Sequence, residues 1–184
     1  MDKELEITKE FFNKYKSSYQ VLLNQAEQYE DKEVVWSNTY LNLYPYEHIQ
    51  YNQRSKPKIY SSKPKSSDGI IESWMKNGKV FFAFDARNIL WGVEFIISEA
   101  GKTIRLSYKA DEDDEMALTA VCCVLHNNDL IEKVLAYSRD DSLEDDGIAK
   151  ETFYVSRYSY IEGKIHSIIR DGFYLEKSNQ KFRF

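Results

Sequence analysis

The sequence predicts an α+β fold: a largely antiparallel, meandering sheet with a long N-terminal helix packed on it and a helical insertion near residues 111–138. Three observations point there. The first 30 residues contain no Gly or Pro and repeat apolar side chains at helical spacing. Six of the seven glycines stand in turn-like dipeptides beside apolar runs. The 14 Tyr and 10 Phe among 184 residues favour strands. No low-complexity spacer divides the chain, so one domain over 1–184 is expected, with a helix at about 2–30, a basic loop at about 45–68, and the sheet with its helical insertion over 69–184.

In the N-terminal segment Phe11, Phe12, Tyr15, Tyr19, Leu22, Leu23 and Ala26 recur with the helical period. A helix running through them would be roughly 40 Å long and would lay its aromatic stripe on one face of the sheet. Glu33 to Tyr46 is rich in β-branched and aromatic residues and reads as a strand ending near Pro45. All three prolines and the doublet Ser55-Lys56-Pro57-Lys58 and Ser62-Lys63-Pro64-Lys65 fall between Pro45 and Asp68. Proline cannot donate to an interior ladder, so this segment is expected as a loop or sheet edge.

Asn77-Gly78 reads as a two-residue hairpin turn. It pairs Met75 with Val80, Trp74 with Phe81, Ser73 with Phe82 and Ile71 with Phe84. Ile71, Met75, Val80, Phe82 and Phe84 then form the core face, and Trp74 and Phe81 an aromatic pair on the other. Ile89 to Ser98 continues the meander, and Thr103 to Tyr108 returns after Ala100-Gly101.

Asp111 to Glu115 places carboxylates ahead of Leu118, Val121, Cys122 and Leu125, as at a helix N-terminus, and Asp129 opens a second helix to about Ser138. A hairpin turning at Asn127-Asn128 is the rival reading. Thr152 to Ile161 and Lys164 to Arg170 form a hairpin around Glu162-Gly163, and Asp171-Gly172 marks the turn into a last hairpin.

The net charge of −5 disfavours attraction to nucleic acid, and no apolar stretch approaches membrane-spanning length. A cytoplasmic location is expected, with neither nucleic acid nor membrane as partner. Vicinal Cys122-Cys123 and three scattered histidines lack metal-ligand spacing, so no metal or other cofactor is expected. No nucleophile turn or phosphate loop occurs, so no catalytic residues are assigned. Two weaker sites are Glu94, beside the gap left by Gly92, and His166, which the hairpin register sets opposite Ser159 with Arg157 and Arg170 on the same side, where cations would hold an anion.

These readings favour a protein-binding inhibitor, most concretely an immunity protein that neutralises a bacterial toxin. Its expected contacts are Asp111, Glu112, Asp113, Asp114, Glu115, Asp140, Asp141, Glu144, Asp145 and Asp146, which would attract a basic partner, with Trp74 and Phe81 as aromatic anchors. The alternatives are a small-ligand protein or enzyme using Glu94 or the His166 group, and a nucleic-acid-associated protein using the basic loop.

Overall fold

The computed structural model describes residues 2–50, 57–111, 113–140, 150–174 and 176–183. In chain order the elements are α1 (Asp2–Tyr15), α2 (Tyr19–Glu27), β1 (Glu33–Ser37), α3 (Glu47–Gln50), β2 (Ile59–Tyr60), β3 (Ile71–Lys76) and β4 (Lys79–Asp85). A 3₁₀ turn (Ile89–Trp91) leads to β5 (Val93–Glu99), β6 (Lys102–Ala110), β7 (Met116–Asn127), β8 (Leu130–Asp140), β9 (Lys150–Ile161), β10 (Lys164–Tyr174) and β11 (Glu176–Arg183). The strands form an open sheet, broadly α+β in class, in the order β11-β10-β9-β8-β7-β6-β5-β4-β3-β1-β2. The chain resolves into two compact units: Met1–Ser18, Ile97–Ser107 and Ala117–Phe184 in one, Tyr19–Ile96 and Tyr108–Met116 in the other.

The expected single N-terminal helix is two helices. Its periodicity continues through Lys16–Ser18, but the backbone does not: Ser18 N–H returns to the Tyr15 carbonyl, and the Ser18 hydroxyl lies 3.5 Å from the Lys14 carbonyl. Consecutive serines offer the backbone such local alternatives to the helical ladder.

In the first unit α1 lies against one sheet face. Phe12 meets Tyr137 edge-on at 5.3 Å, and Lys9 Nζ reaches Glu151 Oε2 at 2.6 Å. Buried in this unit are Ile104, Leu106, Val121, Cys123, Val124, Leu135, Phe153, Val155 and Ile168, of which Val124 and Ile168 lie on the face away from α1. The expected helical insertion is instead the β7–β8 hairpin, turning through Asn128 and Asp129, both at positive φ. Val121, Cys122, Cys123 and Val124 are buried in succession because β7 is covered on both faces. Such a strand has no period of two to betray it, and the acidic run ahead of it imitated a helix start. Likewise Asp171-Gly172 is not a turn: β10 runs through it, with Gly172 opposite Tyr154.

The second unit contains β1 to β4. The expected strand over 33–46 stops at Ser37, where Ser37 Oγ donates to the Thr39 carbonyl and Asn38 takes the Lys58 N–H. Within the expected basic loop lie α3 and the edge strand β2, paired to β1; residues 51–56 lie outside the described residues. The Asn77-Gly78 turn forms as expected, both residues at positive φ, and Met75 pairs with Val80. The register then departs from expectation, because Phe81 is an extra residue: Trp74 pairs with Phe82, Ser73 with Ala83, Glu72 with Phe84 and Ile71 with Asp85. A bulge of this kind moves every later residue by one and exchanges the faces. Phe82 is still wholly buried, but on the same face as Trp74 and opposite Ile71 and Ser73. That face stacks Trp74, Phe82, Phe95 and Tyr108 at successive ring separations of 4.6, 5.0 and 5.7 Å, with Tyr19 of α2 against Phe95 and Tyr108.

Candidate functional site

Alternate connections of an antiparallel meander emerge at the same end, so in the second unit the β4–β5 and β6–β7 connections share one end of the sheet. The first is a braced turn. Asp85 accepts from the Arg87 backbone N–H and Nε at 3.0 Å each and from Nη2 at 2.8 Å, while Nη1 reaches Asp68 at 2.9 Å. The bonds from Arg87 hold the Asp85 carboxyl below its ordinary range despite its partial burial. Asn88 caps the 3₁₀ turn by accepting the Leu90 N–H at 3.0 Å. Trp91 closes the turn with 54% of its surface exposed, and the Arg87 guanidinium stacks 4.3 Å above its ring. A large aromatic is thus held out from the fold on a rigid support.

The second connection is the acidic turn. It links strands rather than opening a helix, and Asp111 is its internal brace: Oδ1 accepts the N–H groups of Asp113 and Glu115 at 3.0 and 2.9 Å. Asp113, Asp114 and Glu115 are exposed. Glu112 lies outside the described residues, as do residues 141–149, which include Asp141, Glu144, Asp145 and Asp146; Asp140 ends β8.

The expected anchors sit elsewhere in the unit and are engaged internally. Trp74 packs on Phe82, carries Lys32 Nζ 4.2 Å above its ring, and donates its indole N–H to Glu72 at 3.0 Å; the Trp36 indole donates to the same carboxylate at 3.1 Å. Phe81 lies 4.8 Å from the Tyr29 ring. Trp91 was hidden in the sequence because Ile89 to Ser98 reads as one strand. Asn88 three residues ahead of it and Gly92 directly after it were the available signal, since a cap and a glycine bracket a short helical turn.

The two alternative sites are not assembled as expected. Asn42 Nδ2 donates to Glu94 Oε2 at 2.6 Å, and the Tyr40 hydroxyl occupies the space beside Gly92. A bulge between Ile165 and Ser167 sets Ser159 opposite Ser167 in place of His166, their hydroxyls 2.7 Å apart, and His166 is exposed. Arg157 pairs with Asp171 at 2.7 Å and Glu4 at 3.5 Å, and Arg170, opposite Ser156, lies on the other sheet face. Cys122 and Cys123 are buried and unbridged, and burial pushes the Cys123 thiol up to about 11.

Among the described residues no group of three or more His, Cys, Asp or Glu is gathered as metal ligands would be, and no helix is long and apolar enough to cross a membrane. No family model matches the sequence, and no curated protein or solved structure is detectably similar to the chain.

Proposed function

We propose that this chain is a cytoplasmic protein-binding inhibitor, most concretely an immunity protein that neutralises a bacterial toxin by direct binding. The observation that carries the reading is the exposed, buttressed Trp91 at the same end of its unit as the exposed carboxylates of Asp113, Asp114 and Glu115. An indole held in one orientation loses little entropy when a partner covers it, and tryptophan is a frequent energetic centre of interfaces. Surface carboxylates at the same end raise the encounter rate with a basic partner while adding less to lasting affinity. The anchor in this proposal is Trp91; Trp74 and Phe81 support their own unit.

The test is kinetic, against a partner recovered from the native host. Trp91→Ala is expected to speed dissociation at least about 10-fold with little change in association. Neutralising Asp113, Asp114 and Glu115 together is expected to slow association and flatten its salt dependence. Asp111 is spared because its carboxylate holds the turn. Recovery of no protein partner, or binding that ignores both changes, defeats the proposal.

A further inference from the structure

Arg170 occupies an unusual position on the sheet face of the first unit opposite the one that carries α1. Its guanidinium carbon lies over the Tyr154 ring, 3.8 Å from the centroid. The ring has its place because Gly172, directly across from Tyr154, has no side chain; a Cβ there would run into the Phe153 carbonyl and into Tyr154 itself. Among the described residues the buried Arg170 Nε has no hydrogen-bond partner and no carboxylate pairs with this guanidinium. Arg157 and Arg87 differ, each being held by two carboxylates. Ser156, directly opposite Arg170 and 5% exposed, adds a hydroxyl on the same face.

A stacked guanidinium keeps its in-plane N–H fork fixed, and that fork matches two oxygens of one anion. A buried donor left without an acceptor is costly and calls for a partner that enters the site. We propose that Arg170, supported by Tyr154 and flanked by Ser156, binds a small oxyanion, a free carboxylate or a phosphate group, through Nε–H and one Nη–H. This site is independent of the docking proposal made for Trp91.

The test is a titration of the whole chain with inorganic phosphate and, separately, with acetate, following the Arg170 Nε–H resonance by NMR against chloride at equal ionic strength. A saturable shift with either anion, absent with chloride, supports the site, and the anion that saturates at lower concentration identifies the ligand chemistry. Arg170→Lys keeps the charge but loses Nε and the fork, and is expected to weaken binding at least about 10-fold. Tyr154→Phe keeps the stacking ring and is expected to bind as the parent does. An Nε–H resonance that ignores both anions, or that answers chloride equally, overturns the proposal, as does undiminished affinity in Arg170→Lys. Should Arg170→Lys fail to fold, the titration of the parent chain decides.

Discussion

In one unit a helix is seated on rings; in the other it is seated largely on charge. Tyr19 of α2 closes a stack that runs through Phe95, Phe82 and Trp74. Of α1 only Thr8 is fully buried, and its hydroxyl is satisfied within the helix by the Leu5 carbonyl at 2.8 Å. Beside the Phe12–Tyr137 contact, α1 is held by Lys9 on Glu151, with Tyr137 donating to the same carboxylate at 2.8 Å, and by Glu4, which lies 3.7 Å from Lys133 and 3.5 Å from Arg157. Dispersion between buried rings does not depend on ions in solution, whereas partly exposed ion pairs are screened by salt and lost on protonation. The two helices are therefore expected to respond differently to the same change of medium.

The largest effect should come from the rings. Phe82→Ala is expected to cost about 3–5 kcal/mol in denaturant unfolding, with little dependence on salt, while Lys79→Ala changes stability by under about 0.5 kcal/mol. Comparable small losses at both positions would break the comparison at its stronger end. Next comes Glu72, a carboxylate that accepts from two indoles. Glu72→Leu strands both indole N–H groups at a cost of about 1–3 kcal/mol, and Glu72→Gln, which keeps one acceptor oxygen, should cost less. Intrinsic tryptophan fluorescence should report the change, and equal effects of the two substitutions would remove the carboxylate from its central place.

The smallest effect belongs to the charged seat. Lys9→Met is expected to cost about 1 kcal/mol or less in low salt, and the difference from the parent should shrink as salt is added. Burial alone would raise the Glu151 carboxyl, but the bonds from Lys9 and Tyr137 outweigh it and hold the group below its usual range. A carboxyl so lowered contributes stability above its unfolded value and gives it up as pH falls through the lower folded value. Protection of the α1 amides against exchange, taken relative to the intrinsic rate at each pH, should therefore fall in acid before that of α2 does. Exchange in α1 unmoved by either salt or acid would show that Phe12 and its apolar neighbours hold the helix by themselves.

What could be read from the residues follows the range of the forces involved. Asn77-Gly78 and Glu162-Gly163 were legible because a two-residue turn at positive φ is decided by its own residues. The acidic turn was legible as a charge cluster but not as a turn, since only the fold reveals that Asp111 bonds to Asp113 and Glu115 rather than to a helix start. The β7–β8 hairpin was obscured because burial on two faces erases alternation. Two bulges, at Phe81 and at His166, left no mark in the sequence. The first placed Trp74 on the same face as Phe82, and the second removed His166 from its expected place opposite Ser159. Trp91, the residue proposed as anchor, depends on a turn so short that its flanking strand pattern concealed it.

The ion pair between Lys9 and Glu151 joins residues 142 positions apart. During synthesis α1 leaves the ribosome long before β9, so its charged and aromatic side has no seat until most of the chain has been made. The β7–β8 and β9–β10 hairpins have no such wait, because each finds its partner strand next in the chain, and closing short loops costs little entropy. Folding of this unit is therefore expected to run from hairpins outward, with α1 the last element to settle although it is made before the strands it packs on.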